Sequence, residues 1–244
     1  MATTVKIQDT INWAAAFLVQ RPQTGVGGTA NEPALTSANY IMKTILSAPF
    51  IWEWNRVSAA TAITTVAGQS DYPISLPNFG FLEKATLVNP TAPANTPPNF
   101  ELEVFGILSK EGKQNRPQKI AVLLDNNAGT ITFRLFPVPD QVYTVDLLYQ
   151  NAPIQITTLG STTWAPIPDK LAFLYERGFL SQMQMMYNQQ LALSNQEVFF
   201  RQLVATAEGL SETDKAIFLE DALRPIKTRQ AELLGVQQGK QART

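Results

Sequence analysis

The chain contains no cysteine and no histidine among its 244 residues. Without cysteine there are no disulfides, so the fold is held by packing alone. Zinc sites of the usual kind are excluded, because they take Cys or His ligands. The Ser-His-Asp triad and the Cys-His dyad are excluded with them. Charge is also scarce: 16% of residues are Asp, Glu, Lys or Arg, against about 25% in typical globular proteins. A formal net charge of −1 is not the basic footprint of a dedicated nucleic-acid binder. No apolar run approaches the ~18 residues of a membrane span. The N-terminus lacks the charged start and apolar core of a signal peptide. These absences predict a protein used in the cytosol, or in an assembly built there.

What is present is a 45% hydrophobic chain, long enough to bury one large core or two small ones. Ile7, Ile11, Ala14 or Ala15 and Leu18 recur at helical spacing, and Arg21-Pro22 ends that helix before the flexible Gly25 to Gly28 stretch. A second helix is expected from Asn31 as N-cap, with Pro33 in its first turn and Pro49 as its stop. Leu35, Ala38, Met42, Ile45 and Leu46 form its apolar face.

From Ile63 onward the pattern becomes that of strands. Short apolar runs at 81–89, 99–105, 119–125, 130–136 and 142–150 are separated by turn residues such as Asn126-Asn127-Ala128-Gly129 and Pro137-Val138-Pro139-Asp140. The proline-rich 89–99 stretch and the polar, basic 110–119 stretch read as exposed excursions. After Pro168 the helical period returns through Leu171, Leu174, Tyr175, Phe179, Met183 and Tyr187, and again from Asn195 to Ala207. Ser211 to Asp214 resembles a capping box, and Pro225 marks the end of the last helix.

The fold class expected is therefore α+β: a helical domain formed by N- and C-terminal helices, with an inserted antiparallel β-sandwich or barrel-like domain. The domains would be 1–56 with 166–225 for the helices, 57–165 for the β domain, and a C-terminal tail over 226–244, mobile or ordered by a partner. From Lys227 onward that tail is basic, with Lys227, Arg229, Lys240 and Arg243 against Glu232 alone.

No constellation carries catalytic chemistry. Glu101 and Glu103 share one face of a strand, which suits a carboxylate pair, but an alternating strand with a solvated face gives the same pattern. Asp125-Asn126-Asn127 is oxygen-rich yet too short for an EF-hand loop, and reads first as a hairpin turn. Glycines 25–28 follow a helix rather than a strand and lack the Lys-Ser/Thr end of a phosphate loop. Lys110, Lys113, Arg116 and Lys119 lack interleaved aromatics for nucleic acid. The Met183–Met186 cluster is either a core stripe or an adaptable surface. No catalytic, cofactor or metal residue is assigned, and no cofactor is expected. The densest signal is Phe50-Ile51-Trp52-Glu53-Trp54-Asn55-Arg56 at the helix-to-β junction. Phe50, Trp52, Trp54 and Arg56 suit either an interface hot spot or a junction core; stacking on a sugar or base also fits them.

That run, with Gly68-Gln69-Ser70-Asp71-Tyr72, Leu76-Pro77, Phe136-Pro137-Val138-Pro139-Asp140, Tyr149 and Ile167-Pro168-Asp169, resembles the head-to-tail adaptor proteins of tailed phages, of the tail tubular protein A and tail accessory factor types. The resemblance spans roughly residues 35–225. It implies a structural, non-enzymatic virion protein of the neck, assembled in the host cytoplasm, that docks on the portal protein as a ring, dodecameric in such proteins. The ring would extend the DNA channel toward a downstream tail or nozzle protein, with DNA passing through without sequence-specific binding and no membrane involved. It also implies that the C-terminal segment grips the portal, which points to Lys227, Arg229, Leu233, Leu234 and Val236. The alternative is a carbohydrate-binding or cell-wall-degrading tail-associated protein using aromatics and carboxylates of the β domain.

Overall fold

The computed structural model describes residues 3–18, 32–88, 99–110, 112–125 and 130–241, with side chains for all of these except 124–125 and 236–241. The expected glycine hinge at 25–28, the Asn31 cap, the 89–98 excursion and the Asn126–Gly129 turn lie outside the described residues. The chain divides into two compact units, Met1–Trp54 with Ile154–Thr244, and Asn55–Pro153.

The first unit is helical. Helix α1, Ile7–Ala15, buries Ile7, Thr10, Ile11 and Ala14 on one face, and the Asp9 carboxylate accepts the Lys6 backbone N–H at 3.0 Å. Helix α2, Ala34–Leu46, has Pro33 at its N-cap. Proline brings no side-chain acceptor there, and the Glu32 carboxylate instead accepts the Thr36 N–H at 3.1 Å, satisfying one of the donors a helix start leaves open. A 3-10 turn, Asp169–Leu171, leads into α3, Ala172–Gln184. Asn188 then caps α4, Gln189–Thr206, accepting the Leu191 N–H at 3.1 Å. The last helix, α5, runs from Glu212 to Gln241.

Large side chains from these segments share one core, including Ile7, Ile41, Ile45, Phe50, Trp52, Trp164, Tyr175, Phe179 and Phe199. Trp164 lies flat on Tyr175 with ring centroids 4.6 Å apart, and its indole N–H donates to the buried Thr10 hydroxyl at 2.8 Å. Gly178 sets how closely α3 packs: a Cβ there would sit 2.8 Å from Ile41 Cδ1 and 3.0 Å from Phe199 Cε2.

The second unit is a single seven-stranded sheet: β1 Arg56–Thr64, β2 Asp71–Ser75, β3 Phe79–Val88, β4 Asn99–Phe105, β5 Lys119–Asp125, β6 Thr130–Phe136 and β7 Thr144–Asn151. Its strand order is β1-β7-β3-β4-β5-β6-β2. The edges β1 and β2 approach one another, so the sheet nearly closes into a barrel. Alternation drives this arrangement. In β6, Ile131, Phe133 and Leu135 are buried while the residues between them are half-buried, and they meet Leu87, Leu102, Ile120, Val145 and Leu147 inside the sheet.

Two expectations are corrected. The sheet is mixed rather than wholly antiparallel, because β4 and β5 pair in parallel through Glu103–Phe105 and Lys119–Ala121. A parallel neighbour needs a long crossover, and residues 106–118 supply it. The stretch read as a plain excursion is thus a sheet connection, pinned where the Arg134 guanidinium donates to the Leu108 carbonyl at 3.0 Å. Second, the last helix does not stop at Pro225, and residues 226–241 are helical rather than an unstructured tail. A proline inside a helix costs about 3 kcal/mol. Burial of Leu223 and Ile226 on either side of it, against Leu193 of α4, offsets that cost.

Candidate functional site

The sequence points to two places, the aromatic run before the sheet and the C-terminal helix. In the run, Phe50 and Trp52 are buried at 2% and 1% exposure. The Trp52 indole N–H donates to the Ile45 carbonyl at 2.7 Å. Trp52 stacks on Trp54, centroids 5.4 Å apart, while Phe50 meets Phe218 of α5 edge-on at 4.8 Å. Ile51 forms a bridge with Glu208. Gly209 beside it has φ +75°, and a Cβ there would sit 3.3 Å from that of Ile51. Phe50 and Trp52 are therefore core residues of the helical unit, and Trp54 is half-buried against the same core. Arg56 begins β1 in the sheet unit, where its Nε donates to Glu83 Oε2 at 2.9 Å. The same oxygen accepts from the Gln150 side-chain amide at 2.8 Å.

The C-terminal helix starts as the sequence reads. The Ser211 hydroxyl oxygen accepts the Asp214 N–H at 3.1 Å, and the hydroxyl donates to the Asp214 carboxylate at 2.6 Å. Glu212 and Asp214 occupy the first turn, where the helix dipole favours acids. The five residues expected at the portal do not share one face. Lys227 is exposed and lines a groove between α4 and α5. Arg229 is exposed and paired with Glu232 at 2.8 Å. Leu233 turns back onto the Leu193–Leu223–Ile226 cluster, whereas Leu234 is 49% exposed. The Val236 side chain lies outside the described residues.

The groove beside Lys227 has a volume of about 530 Å³. Ala216, Leu219 and Leu223 line it together with Arg201, Glu220, Arg224 and Lys227. Arg201 pairs with Glu197 at 2.7 Å, and Arg224 with Asp221 at 3.0 Å.

The sheet carboxylates stand in ion pairs: Glu101 with Lys84 at 2.7 Å, and Glu103 with Lys119 at 3.8 Å. Among the described residues no group of three or more Asp or Glu side chains is placed to hold a metal ion. No aromatic is interleaved within 110–119, yet aromatics of β4 lie against its basic residues. The Arg116 guanidinium lies 4.9 Å from the Phe100 ring centre, and the Lys119 ammonium 4.2 Å from that of Phe105. The partners come from β4, so only the parallel register could have shown them. Met183 is core, while Met186 is 52% exposed.

Three carboxyl groups have shifted acidity: burial pushes that of Glu176 up, and two others are held down. The Asp71 carboxyl is held below its usual range by the Arg134 guanidinium, which donates two hydrogen bonds at 2.6 and 2.8 Å. Asp169, in the first turn of the 3-10 segment that leads into α3, clasps the segment ahead of α1. It accepts the Thr4 hydroxyl at 2.6 Å and the backbone N–H groups of Thr4 and Val5 at 3.0 and 3.2 Å. The Thr4 hydroxyl bond is the main reason its carboxyl too lies below the ordinary value.

Among the described residues no helix is long and apolar enough to cross a membrane. No curated protein matches the chain. The family model of the SU10 adaptor protein matches residues 3–217, covering the sheet unit and the helical unit into the first turns of α5. The chain belongs to the SU10 adaptor protein family, a phage adaptor family of structural proteins, in agreement with the resemblance to head-to-tail adaptors.

Proposed function

We propose that this adaptor docks on the portal of its phage as a ring, extends the DNA channel toward the tail, and works without catalysis. The observation that carries this reading is the family match over 3–217, which embraces both compact units rather than a shared fragment. DNA would pass through the ring without sequence-specific contacts. A downstream tail or nozzle protein would bind on the far side, in a neck assembled in the host cytoplasm. The helical unit would build the ring and the sheet unit, Asn55–Pro153, would serve as the β domain.

The portal contact is assigned to the distal half of α5, through Lys227, Arg229, Leu233, Leu234 and Val236. What supports it is chemistry: past Ile226 and Leu233 the helix carries few apolar anchors of its own, and its side chains are polar and basic. A partner offering acidic groups and a shallow apolar strip would complete it. The test is portal capture by the full chain, by a chain ending at Leu233, and by Arg229→Glu. Ending at Leu233 keeps the buried Ile226 and the half-buried Leu233, so helical content should stay near wild type. The reading requires both variants to bind the portal at least tenfold more weakly. Wild-type binding by a folded truncated chain would remove the distal helix as the anchor.

A further inference from the structure

Pro225 divides α5 into two arms that are held in different ways. A proline has no N–H to give the Asp221 carbonyl, so one bond of the helical ladder is missing there. Three residues on, the Thr228 hydroxyl donates to the Arg224 carbonyl at 3.0 Å, a back-bond that favours bending. The ion pairs keep to one side or the other. Arg224 meets Glu220 and Asp221 ahead of the proline, and Arg229 meets Glu232 beyond it. Among the described residues no ion pair crosses Pro225.

Packing is just as uneven. Ahead of the proline, Phe218 and Leu219 pack on the main helical core, and Leu223 is buried with Leu193 of α4. Ile226, next to the proline, is buried in that same cluster. Beyond it no described side chain of α5 is fully buried, and Leu233 alone packs back on the cluster. Pro225 is exposed and borders an open hollow of about 380 Å³, lined also by Tyr40, Phe200 and Ala222. The ladder is thus interrupted where the helix has unfilled space beside it.

We infer that α5 is hinged at Pro225: the proximal arm stays fixed on α4, and the distal arm swings outward when the chain meets the portal, lifting Leu233 off the Leu193–Leu223–Ile226 cluster. The inference rests on the portal reading above and supplies its moving part. In the free chain Leu233, one of the residues assigned to the portal, is held against the chain's own α4. A swing uncovers it beside the already exposed Leu234. Prolines are among the few places where helices kink by more than about 20°. At a rise of ~1.5 Å per residue, residues 226–241 form a lever of about 24 Å, whose tip a bend of about 20° moves by about 8 Å.

The absence of cysteine lets nitroxide labels be placed at chosen sites. Exposed Ser194 of α4 is the shared reference. Ser194→Cys is combined with Ala216→Cys on the proximal arm, or with Gly235→Cys on the distal arm, where an added Cβ meets open space. Label-to-label distances are measured by double electron–electron resonance in the full chain, alone and with portal assemblies of the same phage. The proximal distance should stay the same. The distal distance should lengthen by about 5 Å, the reach of a bend of about 20° some ~15 Å beyond the pivot.

Pro225→Ala restores the missing donor. In the free chain it should narrow the distribution of distal distances. With the portal it should hold the distal distance at its free value and weaken capture about threefold or more, because the state with Leu233 uncovered is then less populated. Portal capture of the labelled chain with an unchanged distal distance would overturn the hinge and leave the portal reading standing. Equal free-chain widths with and without Pro225 would overturn the hinge as well. No capture of the unlabelled wild-type chain would remove the portal reading, and the free-chain widths would then decide the hinge alone.

Discussion

The Asp169 carboxylate holds Thr4 from two sides, accepting its hydroxyl at 2.6 Å and its backbone N–H at 3.0 Å. One side chain thereby fastens the start of the chain to the turn that opens α3, across 165 residues of sequence. The neighbouring Thr3 hydroxyl adds a bond to the Ile167 carbonyl at 3.0 Å. The Ile167-Pro168-Asp169 motif is thus a structural clasp.

Removing the clasp should destabilise the helical unit, and the effect should depend on pH. A carboxyl held below its ordinary value of 3.8 adds stability above that value and loses it as pH falls through its folded-state pKa. Asp169→Ala should therefore melt a few degrees below wild type at pH 7, with the gap narrowing below about pH 4. Melting temperatures followed by circular dichroism across that range check this. A gap that widens on acidification would contradict it.

Trp52 should behave as a core residue. Trp52→Phe removes the bond to the Ile45 carbonyl and leaves that oxygen buried, a loss of about 1–3 kcal/mol. Trp52→Ala adds a cavity and should cost about 3–5 kcal/mol. Denaturant unfolding measures both. An unchanged unfolding midpoint for Trp52→Phe would show that the indole N–H bond adds nothing.

Glu101 and Glu103 should be dispensable. Both pair with lysines at the surface, their side chains 62% and 66% exposed, where an ion pair contributes about 0–1 kcal/mol. Glu101→Gln with Glu103→Gln should leave stability, particle assembly and infectivity near wild type. Particles that assemble normally but fail to infect would point to chemistry on the sheet and against a purely structural role.

Much of this architecture was legible in the residues. The runs at 99–105, 119–125 and 130–136 coincide with β4, β5 and β6 because short apolar runs, alternating in 100–104 and 131–135, and the turn residues between them leave little choice of boundary. Ser211 and Asp214 announced α5 for the same local reason. What depended on distant partners was not legible. The parallel pairing of β4 with β5 is decided by how the crossover lies on the sheet, so the seating of Arg116 on Phe100 had no local signal. The passage of α5 through Pro225 was hidden because the offsetting burial of Ile226 comes from Leu193, more than thirty residues earlier. The groove between α4 and α5 belongs to the same class: Arg201 and Lys227 meet only once two helices have packed.

Docking on the portal is tested most directly by mixing the purified full-length chain with portal assemblies of the same phage and imaging the product by electron microscopy. A head-to-tail adaptor should add a closed ring, coaxial with the portal channel, with the distal half of α5 directed at the portal. Portal assemblies that remain bare at micromolar adaptor, or that bind scattered single copies without closing a ring, would contradict this reading.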